Sequence, residues 1–281
     1  MNIKIISDST CDLSKDLLEK NDITIVPLTV IKDDEAFIDN ITITTNDIFA
    51  HVAAGGNLCT TTAVSVGEYQ DWFAKYADTY DAVVHINISS EFSSCYQNAC
   101  IAAEEVGGVY VIDSRSLSTG IGLLLIEAAI MAKEGKSAEE ITAYAKALRP
   151  LVRSSFVVDT LTYLHRGGRC SSVAALAGGM LKLHPKIVVA DGKMGVSKKY
   201  RGKMTRVLPE YVEDMKEELM NARTERVFIT HSGCEQETLD QVKAILEGLN
   251  RFDEILITRA GSVISSHCGP GTLGVLFIAN E

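Results

Sequence analysis

Ile3-Lys4-Ile5-Ile6-Ser7-Asp8-Ser9-Thr10, a short β-branched run that ends in small polar residues, decides the fold class of this chain. The pattern returns at Ala82 to Ile88, followed by Ser89-Ser90-Glu91-Phe92-Ser93-Ser94, and at Val109 to Ile112, followed by Asp113-Ser114-Arg115-Ser116. A further run, Ile23 to Ile31, lies between them. Near-continuous apolar strands of this kind suit a parallel sheet covered by helices on both faces. In such a sheet ligands bind beyond the carboxyl ends of the strands, so the three polar loops are expected to share one rim. Each loop also precedes a helical pattern, where Ser and Asp serve as N-caps. A helix N-terminus of that kind is also a receptor for a carboxylate or a phosphate.

Helix starts are legible between the strands. Ser65 and Glu68 form a capping box ahead of Tyr69, Trp72, Phe73 and Tyr76, whose spacing gives one apolar face. Ser137 and Glu140 repeat the signature before Ile141, Tyr144, Ala145 and Leu148, and Pro150 discourages continuation. The stretch Ile121 to Met131 is apolar nearly all round, which fits either burial between layers or a tunnel wall.

The second half reads differently. Strands are expected at Ser155 to Val158, Ile187 to Ala190 and Gly195 to Lys198, the last two joined by the tight turn Asp191-Gly192. A short helix runs to His165, and helical segments around Val212 to Met220 and Glu237 to Leu246 alternate with strands Val227 to Thr230 and Glu254 to Thr258. The chain ends on the run Gly274 to Ala279. The expected architecture is α/β: an N-terminal parallel-sheet α/β domain with Ser/Thr-rich loops over residues 1-150, then a smaller C-terminal α+β domain over 151-281.

Composition narrows the function. With 281 residues and 46% hydrophobic content, a sizeable core is available. The formal net charge of -10 repels phosphate backbones and anionic headgroups, which argues against nucleic acid and membrane surfaces as partners. The apolar run at the N-terminus is too short for a signal peptide and no later segment has the length of a membrane span. A soluble, cytoplasmic protein without stable membrane insertion is expected. The seven cysteines are scattered singly, as small apolar fillers are. His231 and Cys234 come nearest to a metal-ligand pair and lack a second pair at the right spacing, so no metal site is expected.

Gly167-Gly168-Arg169 and His267-Cys268-Gly269-Pro270-Gly271-Thr272-Leu273-Gly274 complete the motifs. Arg169 suits either a cap on a preceding helix end or an exposed docking or headgroup position, and His267 precedes a turn-rich stretch. Ser7-Asp8-Ser9-Thr10-Cys11-Asp12-Leu13 resembles the opening of DegV-family proteins. Similar matches follow in order at Thr61-Thr62-Ala63-Val64-Ser65-Val66-Gly67-Glu68-Tyr69, Ser89 to Gln97, Asp113 to Gly120, Leu164 to Ser171 and His267 to Gly274. Val64 stands where that family usually has Pro, Ser94 where Gly is common, and Cys95, Cys170 and Cys268 where Thr or Ile is commoner. The resemblance implies a lipid-binding carrier rather than an enzyme, with a long-chain fatty acid in a tunnel between layers and no cofactor. It also implies that Thr61, Ser93 and His267 bind the carboxylate, with Thr62 beside them. The carboxylate would be presented to a separate ATP-dependent fatty-acid kinase, and Arg169 is assigned to docking that partner.

A phosphate- or nucleotide-handling enzyme is the leading alternative. No Gly-x-x-x-x-Gly-Lys-Ser/Thr occurs, and the Gly-x-Gly-x-x-Gly at Gly269, Gly271 and Gly274 lies too near the C-terminus to open a βαβ unit, so it reads as a turn. A serine hydrolase ranks third, because no Gly-x-Ser-x-Gly elbow is present.

Overall fold

Strand β1 (Ile3–Asp8) is buried along its whole length, as a strand covered on both faces must be. It lies between β2 (Ile23–Val26) and β6 (Ala82–Asn87) in a parallel sheet of order β2-β1-β6-β7, where β7 is Val109–Asp113. The computed structural model describes residues 1–170 and 183–281. Ser171, the last residue of the Leu164 to Ser171 motif, lies outside the described residues.

The run Ile23 to Ile31, expected as one strand, is two. Pro27 has no N–H for a ladder, and after Leu28 the chain leaves as β3 (Thr29–Lys32) to pair with β4 (Glu35–Ile38) and β5 (Thr60–Thr62). This small antiparallel sheet, of order β4-β3-β5, was not foreseen, because strands of three or four residues are too short to show a period.

The C-terminal layer, expected to be the smaller, carries the larger sheet. Its six strands run in the order β10-β9-β8-β13-β11-β12. They are β8 (Val152–Val157), β9 (Leu183–Ala190), β10 (Lys193–Arg201), β11 (Ala222–His231), β12 (Glu254–Arg259) and β13 (Leu273–Ala279). Asp191 and Gly192 take φ of 49° and 78° between Ala190 and its partner Lys193, the mirror-image turn that Asp-Gly favours. The helix expected over Val212 to Met220 is instead two helices, Met204–Glu213 and Lys216–Met220.

Both capping boxes form. Ser65 N–H donates to Glu68 Oε2 at 2.8 Å and Ser137 N–H to Glu140 Oε2 at 2.8 Å, opening helices Val66–Ala77 and Ala138–Leu148. The all-apolar stretch is helix α5 (Thr119–Lys133), which packs on β1 and β6 of one sheet and on β8 and β13 of the other. Residues 121–131 touch no part of the cavity described below, so burial between layers accounts for them. Arg226 of β11 and Glu127 of α5 form an ion pair with side chains 11% and 14% exposed, tying this helix to the six-stranded sheet. Among the described residues no helix is long and apolar enough to cross a membrane.

Candidate functional site

The polar loops after β1, β6 and β7 do share one rim. Ser89 N–H donates to Ser116 O at 2.9 Å, Ser90 Oγ to Asp113 Oδ2 at 2.7 Å, and Ile88 N–H to Asp8 Oδ2 at 3.0 Å. Beneath this rim a cavity runs against the six-stranded sheet. Leu28, Phe92, Phe156, Leu164, Ile264 and Leu276 supply apolar wall. Thr61, Thr62, Ser93, His267 and Arg169, the residues singled out from the sequence, all line it.

Each arrives there for a local reason. Thr61 is the middle residue of β5, so its side chain points to the face opposite Thr60 and Thr62. Its Oγ1 lies 2.8 Å from His267 Nε2. Thr62 is more exposed and sits at the edge of the cavity. Ser93 follows β6, and its Oγ accepts the Cys95 N–H at 3.2 Å at the start of helix Cys95–Val106.

His267 rides on the last turn of a helix, Ser262–Cys268, just ahead of the turn-rich Gly269-Pro270-Gly271. Nothing local announces this helix, since Gly261 makes no side-chain cap. Its anchors come from distant loops instead. Asp12 Oδ1 accepts the Gly261 N–H at 2.8 Å, and Asp39 Oδ1 accepts Ser262 Oγ at 2.7 Å and the Val263 N–H at 3.2 Å. Carboxylates at a helix N-terminus oppose its dipole favourably. Burial nevertheless raises both carboxyls, Asp12 to about 8, because desolvation outweighs the hydrogen bonds they accept.

Burial also governs His267. Desolvation first, and the Arg169 charge second, lower it to about 4, so the imidazole is neutral at pH 7. Its Nδ1 is buried with no hydrogen-bond partner among the described residues. A side chain on Gly167 would place Cβ 2.6 Å from that nitrogen, which explains the glycine. Gly168 has φ of 69° and ends the helix Thr162–Gly167. Arg169 is exposed and does cap that helix, its Nη1 donating to Gly167 O at 2.6 Å, with Nε reaching Phe92 O at 3.4 Å.

Gly269 and Gly271 take φ of 77° and 70° in the turn from helix to strand, and Gly274 lies in β13. His231 Nδ1 accepts the Cys234 N–H at 3.1 Å. Thr10, Ser118 and Cys268 also line the cavity and were not singled out as ligand contacts, because each is a small residue in a loop or short helix with no distinguishing pattern.

A hydroxyl and imidazole cluster in a cavity with extensive apolar wall, set between a parallel rim and a mixed sheet, defines an α/β protein with an amphipathic internal pocket. The chain belongs to the DegV family: the family model, described as "Uncharacterised protein, DegV family", matches residues 2–280. A DegV domain-containing protein of Caldanaerobacter subterraneus is 34% identical over 98% of each chain. Among solved structures, one described as showing fatty acid binding of a DegV family protein from Thermus thermophilus is 30% identical, with a TM-score of 0.92 and full coverage of both chains. A stearic-acid-binding protein from Eubacterium ventriosum is 30% identical, with a TM-score of 0.84 over 99% of this chain and 98% of its own.

Proposed function

We propose that this protein binds one long-chain fatty acid in the cavity, tail along the apolar wall and carboxylate at Thr61, Ser93 and His267, with Thr62 at the edge. The observation that carries the reading is the 2.8 Å Thr61–His267 pair beside Ser93 in a cavity whose other walls are largely apolar. A neutral imidazole donating from Nε2 to Thr61 Oγ1 leaves the threonine proton free to point at a ligand. Two hydroxyl donors and the Arg169 charge then meet an anion. Roughly fifteen buried methylenes at about 0.8 kcal/mol each give about 12 kcal/mol gross before association costs, so the tail supplies affinity. Hydrogen bonds to a charged head, about 1.5–3 kcal/mol each, fix orientation.

The finer part of the proposal is hand-over to a separate ATP-dependent fatty-acid kinase in the cytoplasm, with exposed Arg169 docking that partner and with no cofactor on this chain. A nucleotide-handling enzyme is disfavoured by apolar walls unsuited to polyphosphate. A serine hydrolase is disfavoured by an imidazole lowered to about 4 whose second nitrogen meets no carboxylate among the described residues. Organic extraction of the purified protein is expected to release about one long-chain fatty acid per chain, read by mass spectrometry. Arg169→Ala should retain that lipid yet form acyl phosphate at least ~10-fold more slowly when kinase and ATP are supplied. A lipid-free protein overturns the binding reading; a variant that loses its lipid shows that Arg169, which lines the cavity, holds the headgroup rather than docking the partner.

A further inference from the structure

The turn between β9 and β10 of the six-stranded sheet is seated between two polar loops of the parallel sheet. The ladder pairs Ala190 with Lys193 and leaves the carbonyls of Asp191 and Gly192 without strand partners. Both are taken up across the layers: Ser89 Oγ donates to Gly192 O at 2.9 Å, and Arg115 Nη2 donates to Asp191 O. The fit is close, since a Cβ on Gly192 would lie 2.5 Å from Ser89 Oγ and 2.9 Å from Arg115 Nε. Glu91 adds charge to the seam, with Oε1 3.4 Å from Arg115 Nη1 and Oε2 3.6 Å from Lys193 Nζ. Arg115 takes φ of 53°, uncommon for a residue with a side chain, and its N–H is held by Asp113 Oδ1 at 2.9 Å.

From this seam the chain runs into the cavity wall on both sides. Phe92 and Ser93 follow Glu91 and line the cavity, and Met194 follows Lys193 and lines it from the other layer. Phe92 N–H returns to Ser89 O at 2.9 Å, so a shift of Ser89 carries Phe92 with it. Met194 pairs with Val189 in the same ladder as the turn, so hairpin tip and Met194 move as one piece. Ser89 and Gly192 are buried, whereas the side chains of Arg115 and Glu91 are 32% and 35% exposed. The inner bond is therefore closed to solvent and the outer ion pairs are within reach of salt. Ser89, Glu91 and Arg115 touch the turn and do not line the cavity.

We propose that Arg115, with Ser89 and Glu91, is a clasp that sets how fast a ligand enters and leaves the cavity, by holding the wall shut between Phe92 on one layer and Met194 on the other. The clasp makes no ligand contact and closes the empty and the loaded protein alike. Its loss therefore lowers the barrier in both directions and leaves the affinity in place. The proposal rests on the fatty-acid reading above and adds to it the residues that govern exchange.

The test is stopped-flow fluorescence with cis-parinaric acid, a long-chain fatty acid that emits when shielded from water. Binding is read on mixing it with delipidated protein, and release on chasing the loaded protein with excess oleic acid. Arg115→Ala is expected to raise both rates about 10-fold, the worth of one hydrogen bond and an exposed ion pair, with Kd changed by less than about 3-fold. The methyl ester of the probe should leave faster by the same factor, because the clasp acts on the wall and not on the head. Glu91→Gln keeps the size of the side chain and removes both ion pairs. Its release should be faster than wild type and the same at about 0.05 M and about 1 M salt, a range over which wild-type release accelerates. That variant decides the matter if Arg115→Ala does not fold. A wild-type release rate in either folded variant, or an Arg115→Ala effect on the acid and not on its ester, overturns the clasp. A wild-type protein that binds no probe overturns the fatty-acid reading itself, and the clasp with it.

Discussion

Thr61→Ala combined with Ser93→Ala is expected to weaken the hold on long-chain fatty acid by about 100-fold, the loss of two hydrogen bonds to a charged group at about 1.5 kcal/mol each. The tail contacts are untouched, so binding should persist at the weaker level. The fold should persist too. Thr61 sits on β5, at the edge of the small sheet, and Ser93 Oγ satisfies a single backbone N–H, that of Cys95, worth about 1 kcal/mol. Titration calorimetry on delipidated protein reads the affinity, and circular dichroism reads the fold. A change smaller than about 3-fold in affinity would remove these two hydroxyls from the head site.

A large effect on stability is expected at His85. This residue lies in the middle of β6 at 0% exposure, edge-on to the stacked rings of Tyr69 at 5.2 Å and Phe73 at 5.4 Å, and neither ring nitrogen has a partner among the described residues. Burial lowers it from 6.5 to about 3. The unfolded chain therefore binds a proton that the folded chain refuses across that window. Stability is retained above pH 6.5 and lost progressively as the pH falls towards 3, by up to ~1.4 kcal/mol per unit. His85→Leu removes the proton site and the unpaired polar atoms, so it should gain about 1–2 kcal/mol at pH 7 and more in acid. Asp12 works in the opposite sense, since its raised carboxyl favours the fold as the pH drops below about 8, but it is common to both proteins and cancels in the comparison. Urea midpoints at pH 7 and pH 4.5 measure the difference. Parallel profiles for the two proteins would show that the imidazole is hydrated or paired after all.

What the sequence disclosed and what it hid divide along a physical line. Capping boxes at Ser65 and Ser137, the Asp191-Gly192 turn and the polar loops after β-branched runs are short-range signals, and each appears as read. The features missed are those set by distant partners. The helix carrying His267 is held by Asp12 and Asp39, more than two hundred residues away in the chain, and no local pattern encodes that. The split at Pro27 needed β4 and β5 as alternative partners for Thr29–Lys32, and both are too short to be periodic. At the site, the family motifs pointed to Thr61, Ser93 and His267, and the structure brings them to one cavity.

The central claim is that the cavity selects a long acyl chain by its tail and a free carboxylate by its head. Calorimetry of delipidated protein against a long-chain fatty acid and its methyl ester tests both halves together. The ester keeps every methylene and loses only the anionic head. The expected result is tight binding of the acid and binding of the ester about 10- to 100-fold weaker, the worth of one or two charge-assisted hydrogen bonds. Equal affinities for acid and ester, or no binding of either, would contradict the account.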